Sequence, residues 1–244
     1  MSSQESLSNA SKSRLEFSKH GNSLGAAGYV CRNQETAGNN DFLGRSGDTI
    51  SVSPPKGGFD KINVGAAWDN DTALSKSMIG RLLKIERKLD IDLDLGCLYE
   101  MQDGTRGAVQ AFGELFGSFD EAPYIQLSGD ERTGEAEGDD EYMLINGHKW
   151  SEVKRVILYI YIYKGAQDWA QVAPQIQLRI PGQKQIVVTP SVHSKNLSLC
   201  VVAGLENIRN GMSVTNYTEF FPGHEEMDRA FGWGLQWDDG HKGE

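Results

Sequence analysis

At 244 residues the chain is long enough to bury one large core or two small ones. Its 34 acidic residues outnumber 24 basic ones, giving a formal charge of -10, and a surface of that sign repels phosphate backbones, so nucleic-acid binding is not expected. The longest apolar run, VILYIYIY, is eight residues, too short for a transmembrane segment.

Residues 1–45 are rich in Ser, Asn and Gly, with eight serines before residue 24. Such a stretch buries too little apolar surface to offset its ordering entropy, so a disordered tail is expected. It has no apolar h-region, so no secretory signal is expected. Cys31, Cys97 and Cys200 are odd in number and widely spaced, which fits neither a disulfide framework nor a zinc site and suggests a reducing cytosol. From DTISVSPP onward, short alternating runs are broken by Gly, Pro, Asn and Asp. KINVGAAW alternates Ile62, Val64, Ala66 and Trp68 with smaller or polar neighbours, as a strand does. TALSKSMIGRLLKIERKL places Leu74, Met78, Leu82, Ile85 and Leu89 on one helical face, with five basic residues elsewhere. That segment, 73–89, is expected either to cap the sandwich or to lie on an anionic bilayer.

Further along, DIDLDLGCLY has period two, and RVILYIYIY reads as a central strand buried on both faces. QIQLRI, KQIVVT, LSLCVVAGLEN and SVTNYTEFF complete a series of eight or so strands. HEEMDRAFG opens with two acids at the positive end of a helix dipole and stops at Gly232, both marks of a short helix. In FGWGLQW, Phe231, Trp233, Leu235 and Trp237 are expected on one face of a strand, packing into the core. The whole predicts an all-β fold, an antiparallel β-sandwich with one or two short helices, over residues 46–240.

Two acidic stretches carry the candidate chemistry. Gly129 to Glu141, GDERTGEAEGDDE, holds seven carboxylates and only Arg132 as a base, leaving a net -4 for the rest of the chain. In DIDLDLG, Asp90, Asp92 and Asp94 share one strand face, with Ile91, Leu93 and Leu95 on the other. Like charges in register repel unless something positive sits among them. An EF-hand loop is excluded, because counting from Asp90 its sixth and twelfth positions are Leu95 and Met101. A solvated acidic face is one reading. A cage of hard oxygen ligands for calcium is the second, helped by turns at Gly129, Gly134 and Gly138. Acid–base chemistry through Asp139, Asp140 and Glu141 is the third. No nucleophile–base pair or phosphate loop accompanies those carboxylates, and HEEMD has Asp228 where a zinc protease helix needs its second His. His20, His148, His193 and His241 read as surface or structural residues.

These phrases resemble a known family. DLDLG, followed some 35 residues later by GDERTGEAEGDDE, is similar to the paired acidic signature of the TerD-type tellurium-resistance domain, whose elements read like D-L-D-A-S and GDN-x-TG-x-GDGDDE. DLDLGCLYE, FGSFDEAPYIQL, HKWSEVKRVILY and GHEEMDRAFGWGLQW resemble the TerA branch in particular. The resemblance implies a calcium-binding β-sandwich. It places metal ligands at Asp92 and Asp94 and, from the second element, at Asp130, Thr133, Gly138, Asp139, Asp140 and Glu141, with Gly134 shaping the turn. AAWDND resembles the family's GWD element and adds Asp69 as a supporting ligand. Ala136 and Glu137 depart from the usual Gly and Asp, which weakens one of two sites. The resemblance further implies a cytoplasmic, non-enzymatic stress-response protein, peripheral at the inner membrane face, whose partners are other tellurite-resistance proteins in a membrane-associated complex. The alternatives are a calcium-dependent carbohydrate or ligand-binding module and, less favoured, a hydrolase using the acidic edge.

Overall fold

The structure is a computed structural model that describes residues 40–68, 91–128, 141–166, 168–192, 194 and 196–237. Two sheets face each other. Numbered in chain order, the strands of the larger sheet lie side by side as β1 (Asp41–Leu43), β11 (Ile186–Val188), β10 (Gln175–Arg179), β3 (Lys61–Ala67), β8 (Glu141–Asn146), β7 (Ile125–Leu127) and β6 (Gly117–Ser118). The smaller sheet runs β2 (Thr49–Val52), β13 (Gly211–Phe221), β12 (Leu199–Ile208), β9 (Val153–Lys164), β4 (Asp92–Met101) and β5 (Arg106–Val109). Neighbours are antiparallel except β1 and β11, which pair in parallel. The fold is all-β, as the alternating runs predict, with two short helices: α1 (Trp169–Val172) and α2 (His224–Phe231).

Side-chain alternation explains the layering. From β3 and β8, Ile62, Val64, Ala66, Met143 and Ile145 point inward, meeting Leu93, Leu95 and Cys97 of β4 and Leu158, Ile160 and Ile162 of β9. The alternate residues of the smaller sheet, Leu98, Ile157, Tyr159, Leu199 and Val201, point the other way into a second cluster closed by Met227 and Trp233. Hence β9 is buried on both faces through its centre, Val156 to Ile160, because α2 and the chain after it form a third layer.

Two expectations are corrected. Residues 41–43 fall within the stretch assigned to a tail, yet they form β1, with Leu43 in the main core and its carbonyl accepting from Asn216 Nδ2 at 2.9 Å. Main-chain pairing with β11 and the burial of Leu43 hold these residues in the sheet, although the stretch around them is poor in apolar residues. FGWGLQW is not a strand. Phe231 is the last helical residue, and Gly232, at φ 68°, ends the helix in the left-handed region. The Asp228 carboxylate then accepts from Gly234 N at 2.8 Å and Leu235 N at 2.9 Å, holding the chain in place of a ladder. Trp233, Leu235 and Trp237 still turn onto the sheet, so their packing role is as expected. The 73–89 segment lies outside the described residues. Among those described, no helix is long and apolar enough to cross a membrane.

Candidate functional site

The site is the start of β4. There, β5 pairs with β4 only from Cys97 to Glu100, so residues 92–95 have β9 on one side and, among the described residues, no strand on the other. The N–H of Leu95, turned away from β9, is taken by Glu141 Oε2 at 2.6 Å. Glu141 begins β8 in the opposite sheet, where it stands across from Ala66. It is also the last residue of the second acidic stretch. The last residue of the second stretch therefore reaches the first, Glu141 binding the main chain beside Asp94.

Leu93 and Leu95 are fully buried in the core, as the alternation requires. Asp94 faces the other way and is only 2% exposed, so it is not a solvated carboxylate. Taking a carboxylate out of water costs several kcal/mol before compensation, roughly, which makes its position costly to hold. Asp92 is half-buried and stands opposite Lys164, with a register shift between it and Leu93. Among the described residues, no three His, Cys, Asp or Glu side chains form a ready metal cage. Asp69, Asp130, Thr133, Gly138, Asp139 and Asp140, with Gly134, lie outside the described residues. The donor set that is placed, Asp92, Asp94 and Glu141, is all carboxylate oxygen, the chemistry that suits a hard cation.

An aromatic wall adjoins Asp94. Tyr161 is its cross-strand partner, and Tyr159 is next along the same face of β9. Burial above all raises the Tyr159 hydroxyl's pKa well above 10, with Cys97 and the Asp94 carboxylate adding to it; that hydroxyl donates to Gln110 Oε1 at 2.6 Å. Phe112 packs edge-on to Tyr161 at 5.6 Å and lies 5.6 Å from Tyr163. His224 completes the wall, 5.3 Å from Tyr159, 5.0 Å from Tyr161 and stacked on Trp237 at 5.2 Å. Burial pushes the His224 pKa down to about 4, so its imidazole is neutral at pH 7. Sequence reasoning passed over His224 as part of a failed zinc motif. The period-two Tyr159, Tyr161 and Tyr163 were the available signal that an aromatic row ran there.

At the far end of β4, Glu100 shows a different arrangement. It is 2% exposed and meets Arg106 at 3.2 Å, Lys154 at 3.0 Å and Arg155 at 2.5 Å. Burial alone raises its pKa, but the three hydrogen-bonded bases outweigh it and hold the carboxyl at about 2. Arg155 also lies 4.2 Å over the Trp233 ring. This cluster fastens the third layer to the sheet. Cys97 and Cys200 are buried free thiols, as expected of structural cysteines, and His148 is a surface residue 3.4 Å from Asp60.

No family model matches the chain. Over 187 residues, 77% of its length, the chain is 37% identical to a protein of Alcaligenes sp named tellurium resistance protein TerA. The chain spans about half (54%) of that relative's length.

Proposed function

This chain is related to the Ter proteins of tellurium resistance, and on that premise we propose that it serves tellurium resistance as a calcium-binding, non-catalytic interaction module. One observation carries the metal reading: Glu141 reaches across from the opposite sheet to Leu95 N, beside the buried Asp94. Asp92, Asp94 and Glu141 make no cage by themselves and would act as ligands only together with Asp69, Asp130, Thr133, Gly138, Asp139 and Asp140, which the family resemblance assigns. Calcium takes six to eight oxygen ligands in flexible geometry, whereas magnesium demands a strict octahedron and dehydrates reluctantly. When bound, the ion supplies positive charge that offsets the repulsion among these carboxylates.

The chain's own residues do the rest. Glu141 joins the two sheets at this end, and Phe112 and Tyr161 shield the face on which Asp94 lies. A low-dielectric flank strengthens attraction between Asp94 and any cation. Titration calorimetry with calcium, and magnesium as control, tests the reading. Calcium binding in the micromolar to millimolar range, lost in Asp94→Asn, is expected; no heat at millimolar calcium refutes it. Thermal melting gives a second readout, since a ligand bound only to the folded form at 100 times its dissociation constant stabilises by about 2.7 kcal/mol.

A further inference from the structure

The outer face of the larger sheet carries a cleft that neither the fold nor the metal reading uses. It opens at the start of β3, the end away from Ala66 and Glu141, between that strand, the end of β10 and the turn that leads into β11. Its volume is about 420 Å³, within the ~300–1,000 Å³ range of small-molecule sites. Strand alternation makes the floor polar. Ile62, Val64, Ile176 and Leu178 are buried in the core, so Asn63, Gln177 and Arg179 lie on the opposite face. Arg179 stands across from Asn63, and its Nη1 donates to Asn63 Oδ1 at 3.4 Å. Gln177 is only 7% exposed, and its Oε1 accepts from Arg179 Nη2 at 2.7 Å and from Gln185 Nε2 at 2.6 Å. One buried amide thus orders a guanidinium and a second amide, so less freedom is lost when a ligand binds. The turn is held as well: Gln183 N donates to Ile180 O at 3.0 Å and Gln183 Nε2 to Ser53 O at 3.3 Å.

The charge of the lining identifies the ligand class. Among the described residues it holds two bases, Lys61 and Arg179, the amides of Asn63, Gln183 and Gln185, and no carboxylate, on a chain of formal charge -10. The acids beside it are engaged elsewhere. Asp60 Oδ1 accepts from Lys61 N at 2.8 Å and lies 3.4 Å from His148 Nε2, and Asp41 is 3.9 Å from Lys184 Nζ. A guanidinium fork matches the oxygens of a carboxylate or phosphate, and an ammonium adds a point charge. Two positive charges balance a phosphate monoester, about -1.5 to -2 at pH 7, better than they balance a single carboxylate. A nucleic-acid backbone would need a longer basic track than two side chains. We propose that this cleft binds the phosphate group of a small phosphorylated molecule, with Arg179 and Lys61 as its positive contacts and the Asn63, Gln183 and Gln185 amides as its neutral ones.

The test titrates the full chain in EDTA with glycerol phosphate, inorganic phosphate or acetate at matched ionic strength. Proton–nitrogen NMR follows the side-chain amides of Asn63, Gln183 and Gln185. Saturable shifts are expected with both phosphates, glycerol phosphate binding at least as tightly, and none that saturate with acetate. Lys61→Gln is expected to weaken binding about fivefold, and Lys61→Gln/Arg179→Gln at least about tenfold, or 1.4 kcal/mol. Lys61 is exposed, so its replacement is expected to leave the melting temperature unchanged and to stand as the test should the double variant misfold. Arg229→Gln removes the same charge from α2, on the far side of the sandwich, and is expected to bind as wild type does. The proposal is overturned if the shifts do not saturate, if acetate matches phosphate, if Lys61→Gln binds as wild type does, or if Arg229→Gln weakens binding equally. Inorganic phosphate that binds where glycerol phosphate does not would overturn the ester in favour of a bare ion. Because EDTA removes divalent ions, these outcomes are independent of the calcium titration.

Discussion

At His224, an imidazole is held among Phe112, Tyr159, Tyr161 and Trp237 and is neutral in the folded protein. In the unfolded chain it titrates near pH 6.5, and in the fold near 4. The unfolded state therefore binds more protons between those values. The contribution is complete above about pH 6.5, is lost as pH falls toward 4, and is flat below. His224→Phe keeps an aromatic ring and is expected to flatten the wild-type decline in melting temperature over that window; an unchanged slope would contradict the assignment. Cysteine reactivity follows from the same burial. Cys97 is pushed up to about 12 and Cys200 well above 9, so neither carries appreciable thiolate at pH 8. Iodoacetamide on the native protein, followed by peptide mass spectrometry, should leave both unmodified until denaturant is added. These burials were legible as tendencies of Cys in apolar strands, but the nest around His224 was not, because its members come from four separate segments.

The third layer shows how an element is held by few contacts. Glu100 gathers Arg106, Lys154 and Arg155, and Arg106 Nη1 reaches the carbonyls of Gly232 at 2.9 Å and Trp233 at 3.2 Å. Glu100→Gln removes the shared acceptor charge. Because the three bases are 30–51% exposed and partly screened, the loss expected in urea unfolding is modest for a buried acid, about 1–3 kcal/mol. A second device pairs glycine with tyrosine across neighbouring strands. Gly96 faces Tyr159 in register, and a Cβ at Gly96 would overlap the Tyr159 ring, which is locked by its bond to Gln110. Gly96→Ala is expected to destabilise by about 1–3 kcal/mol through this overpacking. Equal urea midpoints for Gly96→Ala and wild type would show that the ring yields at no cost. Sequence alternation placed Gly96 and Tyr159 on strands, but their pairing is a matter of register and needed the sheet.

Over the whole molecule, the acidic end combines the half of β4 beyond its pairing with β5, the start of β8 and the turn at 112–116. Glu141→Ala removes the acceptor for Leu95 N and the bridge between the sheets. It is expected to cost about 1–3 kcal/mol even without metal, through an unsatisfied N–H. Asp94→Asn at the same end should leave that bridge intact while lowering calcium affinity. Comparing the two by urea unfolding in EDTA and in calcium separates a structural carboxylate from a binding one.

The strand series, the core-facing Leu93 and Leu95, the short helix ending at Gly232 and the kinship to Ter proteins followed from the sequence, because period, punctuation and distinctive phrases are local properties of a chain. Local pattern left the acidic stretches open between a solvated face and a cage, since repulsion looks the same in either. Only tertiary structure decided that Asp94 is buried, that Glu141 crosses to the opposite sheet, and that FGWGLQW runs over the sheet without joining a ladder. Each of those depends on which strand stops early and what packs above it, and such facts arise between segments distant in the chain.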